Sequence, residues 1–162
     1  SIAGKMVSVQ TVNAKCRLDG FALSDCSAEE WDSEVVLVYS DGSKILNNTI
    51  SGSSSHGISV LNSEDHLISG NHIHGNFKAE IHLAGANYCQ IAADDINQNA
   101  YGIFIETSYQ NWISDCGVWG NGADGIVIES SMGNELAGNA VHNNSENGLL
   151  ITESSNNIII AN

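Results

Sequence analysis

An internal repeat constrains this chain more than any other feature of its sequence, and a repeat of this length is the mark of a solenoid or an array. Four segments superpose: His56-Gly57-Ile58-Ser59-Val60, Tyr101-Gly102-Ile103-Phe104-Ile105, Asp124-Gly125-Ile126-Val127-Ile128 and Asn147-Gly148-Leu149-Leu150-Ile151. The second and third are 23 residues apart. A degenerate copy, Ala79-Glu80-Ile81-His82-Leu83, splits the first interval into 23 and 22, and Val36-Leu37-Val38 precedes the series by 22. Six rungs therefore recur at a nearly constant period.

Inside each rung the alternation has period 2, which is the strand signature. Ile58/Val60, Ile81/Leu83, Ile103/Ile105 and Ile126/Ile128 point one way, while Ser59, His82, Phe104 and Val127 point the other. Later in the rungs come the anchors Ile68/Ile73, Ile91/Ile96, Ile113/Val118 and Leu136/Val141. Each rung thus holds about three short strands, which leaves no length for a helix. The chain contains no Pro, whereas average usage of about 5% would give roughly eight. Pro cannot donate to a β-ladder, so its absence fits a chain made of interior strands.

Two polar columns support the stacking. Asn48, Asn71, Asp94, Cys116, Asn139 and Asn162 share one turn position, and Asn76, Asn99, Asn121 and Asn144 share another. Stacked amides about 4.8 Å apart can hydrogen-bond into ladders. Asn also tolerates the left-handed backbone of tight corners, which predicts that conformation at these positions. The pattern G-I-x-I followed by N-x-I-x-x-N-x-I resembles the right-handed parallel β-helix of the pectate-lyase-like superfamily. The resemblance covers residues 35–162 and extends more loosely to the start through Val7-Ser8-Val9 and Leu18 to Leu23. It implies an all-β, right-handed parallel β-helix of about six to seven rungs with a 22–23-residue period. Residues 1–162 read as a single domain, with 27–34 as an inserted loop. The chain lacks a starting Met and stops in mid-rung at Asn162 with no visible polar cap. A solenoid needs its open ends blocked. The expectation is a fragment of a longer chain, or an oligomer such as a homotrimer that covers the ends.

Charge narrows the function. Five Lys and Arg face 19 Asp and Glu, a formal charge of -14, and no Lys or Arg follows Lys78. That balance argues against nucleic acid and anionic membranes as partners. No apolar run approaches a membrane span, and no signal peptide is visible. Motifs of related enzymes can be tested directly. Ser55-His56-Gly57-Ile58-Ser59 is similar to the G-H-G-I-S stretch of polygalacturonases, but the first Gly is Ser and the N-T-D and R-I-K motifs are missing. The D-P-H-E motif of mannuronan epimerases cannot occur without Pro. Lyases of the superfamily commonly use Arg or Lys to abstract a proton and to bind uronate, and the second half has neither. No P-loop, Rossmann fingerprint, zinc finger or calcium-binding nonapeptide is present, so no cofactor is expected.

The candidate catalytic residues are Glu106 and Glu129, in one column of adjacent rungs. A backbone spacing of about 4.8 Å suits the roughly 5–5.5 Å of a retaining carboxylate pair. Two carboxylates that close raise one another's proton affinity, which makes a general acid. Phe104, Tyr109, Trp112 and His82 are the candidate substrate-binding residues, since aromatic faces offer flat apolar area to a sugar. The alternative is a solvated column of acids beside turn aromatics. His72 and His74 share a strand face, with His66 a turn earlier and Asp95 in the His72 column. Spacing brings only two ligands together where zinc needs three or four, so a His72–Asp95 pair is expected and no metal. Cys16 and Cys89 share a column three rungs apart, beyond bridging distance, whereas Cys16 with Cys26 stays open.

Two functions follow. One is an extracellular, carbohydrate-active β-helix that binds a polysaccharide and cleaves it as a glycoside hydrolase or depolymerase, similar to phage tailspikes and secreted bacterial enzymes. The other is a non-catalytic shaft or recognition module of a tail fibre or surface adhesin.

Overall fold

The computed structural model describes residues 2–3, 7–9, 16–24 and 34–162. The inserted loop expected at 27–34 lies outside the described residues except for Glu34, as does Cys26. Among the described residues there are short strands and no helix, and the strands form three parallel sheets of seven. Successive strands visit the three sheets in turn, so each rung lies on the one before.

Register is set by the repeat. In the second sheet Ile58, Ile81, Ile103, Ile126 and Leu149 stand in one column. A slip of one residue would turn every Ile of this column out to solvent, so burial itself fixes the pairing. The first sheet contributes Ile50, Ile73, Ile96 and Val118 to the core, and the third Ile45, Ile68, Ile91, Ile113 and Leu136, all buried. Burying each such side chain stabilises the fold by about 1.5–3 kcal/mol. Of the outward positions His82, Phe104 and Leu150 are partly exposed, but Leu37, Ser59 and Val127 are buried as well. Val35-Val36-Leu37-Val38 is a continuous apolar run, the mark of a strand covered on both faces. In the last turn Ile151 and Ile159 are exposed.

At most corners a residue with positive φ is followed by a buried side chain, and where that is Asn or Ser it bonds a neighbouring rung. Between the third and first sheets the left-handed residues are Gly20, Asn47, Gly70, Ala93, Asp115, Gly138 and Ala161. The ladder residues Asn48, Asn71, Asp94, Cys116, Asn139 and Asn162 come one position later. The expectation that the ladder asparagines are themselves left-handed is therefore corrected. The preceding residue makes the bend, which frees the asparagine to aim its amide along the axis. Asn48 N–H and Nδ2 both donate to Asn71 Oδ1 at 3.0 Å, and Asn139 treats Asn162 likewise at 3.0 and 2.7 Å. The second column behaves the same way, with Asn99 on Asn121 and Asn121 on Asn144. The corner between the second and third sheets adds two further ladders, Ser108–Ser131–Ser154 and Asn111–Asn134–Asn157. Each bond contributes about 1 kcal/mol net.

The glycines that open three of the rungs, Gly57, Gly102 and Gly125, are there for space. A Cβ on Gly102 would collide with the Gly125 carbonyl oxygen and with Val118 Cγ1. Gly102→Ala is expected to destabilise the fold by on the order of 2 kcal/mol, read as a lower urea midpoint with an unchanged slope. The degenerate rung places Glu80 in this column, fully buried. Its Oε2 accepts from Asn76 Nδ2 at 2.6 Å and its Oε1 has no partner. Burial pushes this carboxyl well above the ordinary range.

Candidate functional site

The outer face of the second sheet carries two adjacent columns. Ser59, His82, Phe104, Val127 and Leu150 form one, and Ala84, Glu106, Glu129 and Thr152 form the strand-end column. Side chains of neighbouring rungs stack here because parallel pairing holds them in register. His56 and His82 rings lie 4.3 Å apart, His82 and Phe104 5.6 Å, and Phe104 and Tyr101 6.0 Å. The next rung supplies Val127, so the ring ladder stops at Phe104. Beyond it lies a depression of about 290 Å³ lined by Tyr101, Phe104, Asp124, Val127, Glu129 and Thr152, with Leu150 behind them.

Glu106 and Glu129 are paired residues on neighbouring strands. Glu106 Oε1 lies 2.9 Å from His82 Nε2, with the ring mostly covered and the carboxylate two-fifths exposed. With the carboxylate ionised the ring nitrogen is the donor, so His82 fixes where Glu106 points. Glu129 lines the depression itself. The two carboxylates, His82 and Phe104 are therefore brought together as the sequence predicts. Tyr109 and Trp112 are not. Trp112 opens a strand of the third sheet between Gln90 and Glu135 and faces solvent. Tyr109 lies in the corner between the second and third sheets, in a separate depression. The turn after Glu106 carries the chain around the corner, so nearness in sequence does not keep these rings on the Glu106 face.

Sequence reasoning missed Tyr101, Asp124 and Thr152. Tyr101 and Asp124 precede the glycine of their rungs, a column whose outward access the repeat could have flagged. Asp124 is buried, and its Oδ1 accepts from Asn147 N–H and Nδ2 at 2.9 and 2.7 Å. It is a fixed wall of the depression.

The histidine constellation divides between faces. On the first sheet His72 Nδ1 meets Asp95 Oδ2 at 2.9 Å, as expected, and Trp119 Nε1 donates to Asp95 Oδ1 at 2.9 Å. His66 is buried at another corner, where burial pushes its imidazole down. Its Nδ1 accepts from Ser43 N–H at 3.2 Å, so its Nε2 carries the proton given to Ser63 Oγ, 3.0 Å away. That tautomer cannot act as a base on Ser63. Among the described residues no group of three His, Cys, Asp or Glu is arranged to hold a metal. Cys16, Cys89 and Cys116 are free thiols, and burial raises Cys89 and Cys116 to about 12.

Comparison with known proteins decides the family. Residues 12–162 match the family described as right handed beta helix region. The chain belongs to that family. No curated protein matches the sequence of this right-handed β-helix. Among solved structures it is similar to a variant of the periplasmic alginate epimerase AlgG, with TM-score 0.75 and 18% identity over 88% of this chain and 37% of that one. Pectate lyase Pel9A gives TM-score 0.66 and 12% identity over 88% and 43%. The enzymatically active domain of tailspike protein 2 of bacteriophage CBA120 gives 0.59 and 15% over 91% and 32%. At these identities the likeness is one of fold. This β-helix spans about two fifths of the length of such chains.

Proposed function

We propose that this right-handed β-helix binds a polysaccharide on the outer face of its second sheet and cleaves it by carboxylate chemistry. The observation that carries the reading is the in-register pair Glu106 and Glu129 beside the ring wall of Phe104 and Tyr101. A sugar ring placed against Phe104 in this depression has its apolar side covered and its hydroxyls beside Asp124, Thr152 and Glu129. Glu106, held by His82, is the nucleophile or base, and Glu129, in the depression, is the acid. Parallel pairing sets their strands about 4.8 Å apart, which favours the retaining geometry over the wider inverting one.

The charge balance selects the substrate. No Lys or Arg stands between Ala79 and Asn162, so nothing in these rungs neutralises a uronate carboxylate. A neutral glycan is the fitting ligand, although two of the similar structures are named for alginate and pectate. The similar structures include a periplasmic epimerase and a phage tailspike, which supports an extracellular or surface location for this protein. The test is a panel of neutral and acidic polysaccharides, assayed for binding and for release of reducing ends. Phe104→Ala is expected to weaken binding about tenfold. A protein that cleaves none of the panel is a recognition module if it binds and a shaft if it does not, and the enzymatic reading falls.

A further inference from the structure

The corner between the second and third sheets holds a depression of about 570 Å³, larger than the one beside Phe104. Its apolar part is Tyr88, Tyr109 and Met132, three of the exposed large hydrophobic side chains, and its polar part is Asn87, Gln110 and Asn156. No charged side chain lines it.

The backbone at this corner is left-handed in every rung, as at the other corners. Asp65, Tyr88, Gln110, Gly133 and Asn156 occupy one column and all have positive φ, with Tyr88 at 55°. Gly, Asn and Asp enter that conformation readily, whereas a bulky side chain rarely does. Tyr88 stands half exposed at this corner and its ring lines the depression. Asn87 Oδ1 accepts from Tyr109 N–H at 2.8 Å, which ties the two halves of the corner together across the rungs.

We infer that this corner is a second glycan subsite, which takes a neutral hexopyranose residue of the same polysaccharide held at the second sheet. The inference rests on the proposed polysaccharide binding and deepens it. Tyr109 follows Glu106 by three residues and Met132 follows Glu129 by three. The corner therefore continues directly from the carboxylate edge, and the glycan turns round the solenoid from one depression to the other. The two tyrosines and the thioether cover the apolar faces of the ring, and the three amides bind hydroxyls. Amides without charge discriminate in favour of a neutral sugar over a uronate.

The test uses cello-, manno- and malto-oligosaccharides from dimer to hexamer, with oligomannuronates of the same lengths as the acidic control. Binding is followed by calorimetry and by methionine-methyl NMR, where Met132 is one of only two methionines. A hexamer of at least one neutral series should bind roughly tenfold tighter than its dimer and shift Met132, while the dimer leaves Met132 unmoved. Tyr88→Asn should abolish the hexamer's advantage and raise the thermal midpoint, because Asn tolerates the left-handed backbone. A hexamer that leaves Met132 silent, binds Tyr88→Asn as tightly as wild type and still depends on Phe104 overturns the corner subsite alone. If Met132 and Tyr88 respond but Phe104→Ala has no effect, the corner stands and the sheet-face reading falls. Should no neutral series bind, both fall.

Discussion

Glu129→Gln is expected to lower polysaccharide cleavage by roughly 10²–10⁴-fold while leaving glycan binding nearly intact. The side chain keeps its size and its place in the depression and loses only the proton it would deliver. Glu106→Gln should fall by a similar factor for a different reason. The oxygen of the new amide can still accept from His82, so the ring stays in place, but an amide is neither nucleophile nor base. The two variants then separate by rescue. Added azide can replace a missing nucleophile in Glu106→Gln and yields a glycosyl azide, whereas a substrate with an activated leaving group restores Glu129→Gln, which no longer has to protonate it. His82 acts through Glu106 as a positioning residue. His82→Ala should reduce kcat with little change in KM, since its bond is to the carboxylate and not to the sugar. Full activity in either glutamine variant removes the carboxylate pair from the mechanism.

How much of this was readable from residue order depends on where the period holds. Within strands, alternation and the 22–23-residue step place Ile58, Ile81 and Ile103 in the core and set Glu106 against Glu129. They also put His82 within reach of Glu106. Across corners the parity is lost, because the number of residues spent in a turn decides which sheet the next side chain belongs to. Trp112 shows the consequence. It is six residues from Glu106 in sequence and on another sheet in space. The ladder of Asn111, Asn134 and Asn157 was hidden for a different reason. Its column continues backward as Cys89, His66 and Ser43, so identical side chains do not announce it. The strain at Tyr88 could not be read at all, since which residue bends each corner is visible only in φ.

Asp94→Asn is expected to stabilise the fold by about 4 kcal/mol at pH 8 and by almost nothing at pH 4. Asp94 stands in the ladder where Asn48, Asn71, Asn139 and Asn162 stand in other rungs. Its Oδ1 accepts from Asn71 N–H and Nδ2 at 2.7 and 2.8 Å. Its Oδ2 is buried without a partner, because it stands where the Nδ2 of a ladder asparagine donates and a carboxylate oxygen cannot. Desolvation raises this carboxyl from the usual 3.8 to about 7, against the opposing bonds from Asn71. A folded pKa above the unfolded one means that the native state holds the proton more tightly. Stability from this group is full below about pH 4, falls as pH rises and is lost above pH 7. Some three pH units at about 1.4 kcal/mol each give the loss stated. Asn keeps the acceptor and offers an Nδ2 that can donate to Ile68 O, as Asn71 donates to Ile45 O and Asn139 to Ile113 O. Urea midpoints measured from pH 4 to pH 8 should therefore decline for the wild type and much less for Asp94→Asn. Glu80, buried with one unpartnered oxygen and shifted in the same direction, adds to the wild-type decline and remains in the variant. Parallel curves for the two proteins would mean that Asp94 does not titrate between those limits, and that the ladder tolerates its charge.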